Sequence, residues 1–207
     1  MPLVRKPPSV PLSSAAPAAT DSAAVLDALA SGTDDERWSA ARAAAALPGS
    51  VPALGEALAS EKNPRVREAV LTSLARIATP ESVQTVLPLL RSDDAVVRRE
   101  GSDALLAMKD AAWPQLEALL QDDDANVRIL ACGLVRDMPN EKAVPLYCGL
   151  LDSEPEANVC AAAVEALAEI AGPEALPALT RCAERFRQTP FVAFSIQLVV
   201  DRLRSQV

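Results

Sequence analysis

Residues 123–130 read "DDANVRIL", and nearly the same eight residues occur at three other places in the chain. The other copies are "KNPRVREA" at 62–69, "DDAVVRRE" at 93–100 and "PEANVCAA" at 155–162. Their shared valines are 31, 30 and 32 residues apart, at Val66, Val97, Val127 and Val159. Trp38 fits the series as an earlier, shorter copy. A period of about 20 to 50 residues predicts a solenoid, in which each repeat packs on its neighbours.

Each copy contains two apolar segments of helical period, joined by a short break. In the first segment, helix A, the apolar residues follow the spacing of one helix face: Val127, Leu130, Ala131, Leu134 and Met138. The second segment, helix B, repeats a proline-led pattern that begins at Val51, Trp113, Val144 and Leu176. Because one such pair cannot bury its own apolar face, we expect the pairs to stack around one continuous core.

The repeated motif also predicts how each helix A begins and what joins the repeats. Its opening Asn or Asp is placed to cap helix A by accepting hydrogen bonds from free N–H groups; these residues are Asn63, Asp94 and Asp124. Its closing arginine can reach acidic residues of the neighbouring turn; these residues are Arg67, Arg98 and Arg128. Since Ser39 and Cys160 replace the arginine, we expect this ladder to fade in the first and last repeats.

Composition agrees with an all-α protein. Half of the 207 residues are apolar, mostly Ala, Leu and Val, and only 3% are aromatic, which favours helices packed through small side chains. The formal net charge of −8 would repel a phosphate backbone, so no nucleic acid is expected. No apolar run approaches the roughly 18 residues that span a bilayer, and residues 1–20 do not resemble a signal peptide. We therefore predict a cytoplasmic protein without a membrane partner.

The chain lacks the residues that most catalytic and metal sites require. The chain has no histidine, which removes Ser-His and Cys-His nucleophile pairs. Its four cysteines form no CxxC pair and are interpreted as reduced, mostly buried thiols; they are Cys132, Cys148, Cys160 and Cys182. Phosphate-binding glycine loops are missing as well. We predict no enzyme activity, no metal and no organic cofactor.

The "DxxVR" opening, the "PEALPAL" at 173–179 and a period near 31 resemble HEAT repeats, in particular the short bacterial HEAT-like repeats of the phycobilisome-lyase type. The resemblance covers about residues 21–207. It implies an all-α, right-handed α-α superhelix of about five helical-hairpin repeats, with helices A outside and helices B lining the concave face. HEAT-like hydroxylases bind iron through His-Glu motifs, and the lack of histidine excludes that chemistry here.

Both ends of the chain differ from the repeats. Residues 1–20 are rich in Pro, Ser and Ala and are predicted to be a disordered tail. Residues 21–31 can supply a short helix that covers the first layer. A last helix is predicted to begin with Thr189 as N-cap and Pro190 at its first position. This capping helix is apolar around more than half of its circumference, so either it folds back and buries both sides, or it contacts a second copy of the chain or a partner.

The candidate partner-binding surface is the concave face of repeats two to four. On helix B, residues opposite the core positions are mostly small or apolar, with acidic residues at the edge, which suits an extended peptide or an amphipathic helix. The alternative is that these small residues serve only to let neighbouring helices pack closely, and that they bind no partner. The candidate residues are Leu87, Pro88, Arg91, Glu117, Ala118, Gln121, Tyr147, Cys148, Gly149, Asp152 and Arg181.

Two functions are compatible with these observations. A non-enzymatic scaffold or adaptor that captures a partner protein or peptide on the concave face accounts for the repeats and the missing catalytic residues. The family resemblance also allows a chromophore or prosthetic-group lyase, or its chaperone subunit, of the phycobilin-lyase type. That alternative requires a pocket in the groove, where Tyr147, Cys148, Glu117 and Arg181 form the only chemically useful cluster.

Overall fold

A computed structural model describes residues 19–205, and within that range the chain forms twelve α-helices and no β-strand. The predicted tail lies outside the described residues, apart from Ala19 and Thr20, which begin the first helix. The helices are α1 (Ala19–Ser31), α2 (Asp34–Ala44), α3 (Val51–Ser60), α4 (Pro64–Ile77), α5 (Pro80–Val86), α6 (Ala95–Ala107), α7 (Lys109–Leu120), α8 (Ala125–Val135), α9 (Asn140–Ser153), α10 (Ala157–Ile170), α11 (Leu176–Arg185) and α12 (Pro190–Arg204). Short 3-10 turns extend α5 at Leu87–Arg91 and precede α11 at Pro173–Ala175.

The helices form two rows, as expected for a HEAT-like α-solenoid. The even-numbered helices α2 to α12 pack on one another in order and form the A row. The odd-numbered helices α1 to α11 form the B row, and each of them packs on the A helix that follows it. In the case of α5, most of this packing is made by its 3-10 extension. Five predicted hairpin repeats, α2/α3 to α10/α11, are therefore flanked by α1 at one end and by the capping helix α12 at the other.

The A helices begin where the sequence places their caps. The side chains of Asn63, Asp94 and Asp124 each accept a hydrogen bond from the backbone N–H two residues later. Thr33 caps α2 in the same way. Its side chain accepts from the Glu36 N–H, and the Glu36 carboxylate accepts from the Thr33 N–H, which completes a capping box. These caps satisfy N–H groups that a helix leaves free, so they fix the start of each layer.

The arginine ladder differs from its prediction in three places. Arg128 pairs with Glu154 of the next turn as predicted, with Nε to Oε2 at 2.7 Å. Arg67 instead reaches Glu100 on α6. Arg98 donates only to backbone carbonyls of its own loop. In the first repeat Trp38 is the fifth residue after its cap, whereas Val127 is the third. The true equivalent of Arg128 is thus Arg37, the fourth residue.

The ladder does not fade at the first repeat. Arg37 donates to Glu61 at 2.8 Å and to the carbonyl of Gly32, which lies in its own loop. The predicted change at the last repeat is confirmed, because the fourth residue of α10 is the buried Cys160. There Arg185 of α11 donates to the Glu154 carbonyl at 2.9 Å and to the Asp152 carbonyl.

The last helix, α12, buries only one side. Val192, Ile196 and Leu203 join the core, while Phe191 and Phe194 remain exposed. The interpretation that α12 folds back and buries both sides is therefore wrong. Its N-cap position at Thr189 is confirmed, although the Thr189 side chain makes no capping hydrogen bond.

Candidate protein-binding groove

The structure places most of the predicted partner-binding residues on the solvent side of the B row. Eight of the eleven are exposed: Pro88, Arg91, Glu117, Ala118, Gln121, Gly149, Asp152 and Arg181. Leu87 and Cys148 are half-buried and pack against the core.

Tyr147 is not on this surface. Its side chain is fully buried, and its hydroxyl donates to the backbone carbonyl of Cys132 on α8. Tyr147 follows Pro145 by two residues, as the core residue Leu116 follows Pro114, so the proline-led alignment already assigns it to the core. The predicted surface cluster of Tyr147, Cys148, Glu117 and Arg181 therefore does not form, because the Tyr147 hydroxyl points into the core.

The two predicted cations of the B-row face are held in ion pairs between repeats. Arg181 donates two hydrogen bonds of 2.9 Å to the carboxylate of Asp152 on the preceding B helix. Arg91 pairs with Asp122 in the loop after α7. Because both guanidinium groups are engaged, the charges that remain available to a ligand on this face are mainly negative.

The B row opens between α7 and α9. These two helices make fewer close backbone approaches than any other neighbouring pair in the row. The space between them is an open groove of about 800 Å³, which we call the α7/α9 groove. It is lined by Glu117, Leu120, Gln121, Asp122, Asp123, Arg128, Pro145, Leu146, Gly149, Leu150, Ser153, Glu154, Pro155 and Glu156.

The α7/α9 groove combines an apolar wall with an acidic rim. Leu146, Leu150 and Pro145 line the α9 side. Within residues 19–205, neither Glu117 nor Glu156 has an ion-pair partner, and the same is true of the groove residue Asp123. Carboxylates without a counter-ion beside apolar surface favour a ligand that carries both a cation and an apolar side chain.

A buried ion pair fixes one end of the groove. The Glu154 side chain is 2% exposed and accepts two hydrogen bonds from Arg128, at 2.7 and 2.8 Å. These bonds raise the pKa of Arg128 above its usual value. Arg128 also donates to the carbonyls of Asp122 and Asp123. The loops on both sides of the groove are thereby tied to one guanidinium group, which holds the rim in place without help from a ligand.

Three of the predicted partner-binding residues line the groove: Glu117, Gln121 and Gly149. The acidic turns 122–124 and 153–156 were expected only to supply the Asp124 cap and the partners of the ladder arginines, not groove residues. The available signal was the acidic character of these turns, "DDD" at 122–124 and "EPE" at 154–156. The two turns come together only because α7 and α9 are separated by a gap, and no local sequence pattern predicts that gap.

The groove offers little covalent chemistry. Cys148 is the least buried of the four cysteines, and burial raises the pKa of its thiol, so the thiol is protonated at neutral pH. Burial raises the pKa of Cys132 to about 12. Among the described residues, no three Cys, Asp or Glu side chains converge as metal ligands, and no helix in that range could cross a membrane.

Comparison with known proteins gives a family match over most of the chain. The model for HEAT repeats matches residues 22–107 and 113–188. The bilin biosynthesis protein PecE of Nostoc sp. is 39% identical over 98 residues, which are 46% of this chain and 39% of that protein. The chain thus aligns with less than half the length of this curated relative.

The solved structures to which the chain is similar are distant in sequence. An engineered protein is 21% identical, with a TM-score of 0.43, over 89% of this chain and 97% of that one. A designed armadillo repeat protein is 20% identical, with a TM-score of 0.43, over 86% and 98%. The complex of CpcE and CpcF of phycocyanin lyase from Nostoc sp. is 16% identical, with a TM-score of 0.39, over 98% and 100%.

Proposed function

The chain belongs to the HEAT-repeat family, and from that premise we propose that it is a scaffold that captures a partner protein on its B-row face, with the α7/α9 groove as the main contact. Solenoids of this kind present extended surfaces built from many repeats, and such surfaces bind other proteins. The observation that carries the proposal is the opening between α7 and α9, a groove of about 800 Å³ on the predicted face.

The chemistry of the groove defines the partner segment. Leu146 and Leu150 offer a wall for apolar side chains, and Glu117, Asp123 and Glu156 offer three carboxylates for a lysine or an arginine. The matching ligand is an extended peptide or an amphipathic helix that combines apolar and basic residues. A strongly acidic segment would meet like charge along the whole rim.

The test uses two glycines with matched environments. Gly149 lies in the groove on α9, and Gly133 lies on the A row in α8. Both are exposed, and a Cβ added at either would meet no atom within 4 Å. Changing glycine to arginine inside a helix favours the helix by up to about 1 kcal/mol, so neither G149R nor G133R is expected to lower the melting temperature.

We expect the two variants to differ in partner capture. Affinity purification from the native cells, quantified by mass spectrometry, should recover the same partner with the wild-type chain and with Gly133→Arg. Gly149→Arg should lose it, because the new guanidinium fills the groove and binds the carboxylates that the partner needs. If Gly133→Arg loses the partner while Gly149→Arg keeps it, the A row is the working surface and the proposal is wrong.

A second candidate function is a bilin-related subunit, and it is favoured by the 39% identity to the bilin biosynthesis protein over 98 residues. In this case the groove would hold a linear tetrapyrrole against its apolar wall of Leu146 and Leu150. Titration of the purified chain with a free bilin separates the two candidates. A stoichiometric absorbance shift that Gly149→Arg abolishes supports the bilin function, and an unchanged spectrum supports the scaffold.

A further inference from the structure

The capping helix α12 has two solvent-facing sides of opposite chemistry. The side at the open end of the stack is polar, with Gln197 donating to Asp201 at 2.7 Å and Arg204 exposed nearby. This polar side closes the solenoid, as a terminal repeat requires. The other side, directly opposite the core, carries Phe191, Phe194 and Leu198, which are 49%, 66% and 56% exposed. We call these three residues the α12 stripe.

The stripe is specific to the last helix. Its residues are the second, fifth and ninth after the N-cap Thr189. The same positions of the other A helices are mostly polar or small: Asp35, Trp38 and Arg42; Arg65, Glu68 and Thr72; Val96, Arg99 and Asp103; Asn126, Ile129 and Gly133; Asn158, Ala161 and Glu165. Stacking of the repeats therefore does not require apolar residues there, and an exposed apolar patch of this kind marks an interaction site.

We propose that the α12 stripe pairs with the stripe of a second copy of this chain, with the two helices antiparallel. Phe194 lies in the middle of the stripe, so a two-fold axis near it stacks Phe194 on its counterpart and each Phe191 on Leu198 of the other copy. An isologous contact requires such a self-complementary surface. The proposal is independent of the α7/α9 groove, which lies on the opposite row.

The charges at the two ends of α12 select the antiparallel arrangement. The segment 188–200 has no charged residue. Arg187 is exposed just before the helix, and Asp201 is exposed near its end. Antiparallel pairing brings Arg187 towards Asp201 of the other copy. Parallel pairing would place each charge beside its own counterpart, which is unfavourable.

The size of the stripe predicts a weak dimer. At the observed exposures the three side chains present roughly 300 Å² per copy, given the usual areas of such residues. With flanking residues, the pair would bury on the order of 1,000 Å² in total, the lower end of the range for specific complexes. We therefore expect self-association at micromolar concentrations of the full chain.

Sedimentation velocity across micromolar concentrations tests the proposal. We expect the wild-type chain to shift from monomer to dimer, and Phe194→Glu to weaken the dimer by at least about tenfold, the size expected for a central aromatic contact. The matched control is Val96→Glu on α6, at an A-row residue that is 49% exposed, and it should dimerise like the wild type. Thermal unfolding of both variants should stay close to the wild type because both sites are exposed.

A charge exchange tests the orientation. Arg187→Glu should weaken the dimer, and adding Asp201→Arg should restore it, because each pair is rebuilt with the signs reversed. A wild-type chain that stays monomeric at every concentration overturns the proposal. A dimer that Phe194→Glu leaves intact also overturns it, since the contact then lies elsewhere.

Discussion

Two junctions between repeats solve the same problem with different residues. At α8, Arg128 reaches forward to the buried carboxylate of Glu154 and back to the carbonyls of Asp122 and Asp123. At α10 the equivalent residue is the small Cys160, and Arg185 of α11 donates to the carbonyls of Asp152 and Glu154 from the other side. Both junctions satisfy the carbonyls of the loop that precedes the A helix, but only the first contains a buried ion pair.

The two junctions differ in the charge of the loop that follows. Glu61 and Glu154 lie two residues before the caps of α4 and α10, and each accepts from the arginine of the preceding A helix. Two residues before the cap of α12 the chain has Arg187. An arginine at position 160 would approach this like charge, whereas a thiol avoids it. The first and fourth junctions can thus hold an ion pair with the next loop, and the last cannot.

The largest effect is expected at the buried pair. Arg128→Ala leaves the Glu154 carboxylate, 2% exposed, without its partner, so the free energy of unfolding should fall by about 3 to 5 kcal/mol. Arg128→Lys keeps the charge but loses the bidentate geometry, so its free energy of unfolding should lie between those of the wild type and Arg128→Ala. Denaturant unfolding measures both. A loss below about 1 kcal/mol, typical of an exposed pair, would show that the two junctions are energetically alike.

The first junction should give a smaller effect that depends on pH. Arg37→Ala should lower the free energy of unfolding at neutral pH by less than Arg128→Ala does, because the Arg37 side chain that bonds to the nearly buried Glu61 is more exposed than Arg128. Hydrogen bonds from Arg37 hold the pKa of Glu61 below its usual 4.5. A depressed carboxyl pKa contributes stability above pH 4.5, and that stability is lost as the pH falls through the folded-state value.

The pH dependence supplies the check on that prediction. Denaturant unfolding of the wild type and of Arg37→Ala from neutral pH down to the acid limit of the fold should show the gap narrowing below pH 4.5. A constant gap would mean that Arg37 stabilises the junction through its bond to the Gly32 carbonyl, and not through Glu61.

The smallest effect is expected at the last junction. Arg185 is exposed and bonds only to carbonyls, so Arg185→Ala should lower the free energy of unfolding by about 1 kcal/mol. Arg187→Ala, two residues later, is the control and should stay within about 0.5 kcal/mol of the wild type at concentrations where the chain is monomeric. An Arg185 effect as large as that of Arg128 would show that the carbonyl bonds, and not the buried ion pair, dominate both junctions.

Several features of the fold were readable from consecutive residues. The period of the valines predicted the stacked hairpins, and Asn63, Asp94 and Asp124 cap their helices as expected. The short helix predicted for residues 21–31 is α1, which starts two residues earlier. Such signals succeed because a cap or an amphipathic face involves atoms within one or two turns of the same helix.

Other features depended on where whole helices lie. The alignment at Trp38 was wrong by two residues: the caps Thr33 and Asn63 are 30 residues apart, as Asp94 and Asp124 are, so the first repeat has the ordinary length. The misalignment hid Arg37. Tyr147 was assigned to the surface, although its side chain fills the core between α8 and α9. The contribution of the acidic turns to the candidate groove was missed because the turns meet only across the gap between α7 and α9.

The periodicity and the capping residues specify the solenoid, its two rows of helices and the starts of the A helices, because both act locally along the chain. The partner of each arginine, the opening in the B row and the solvent-facing side of α12 depend on how the helices pack in three dimensions. Arg128 and Glu154 are 26 residues apart, so their contact depends on the rotation and offset of neighbouring helices. Those offsets are set by packing of the whole core, and no single repeat contains the information.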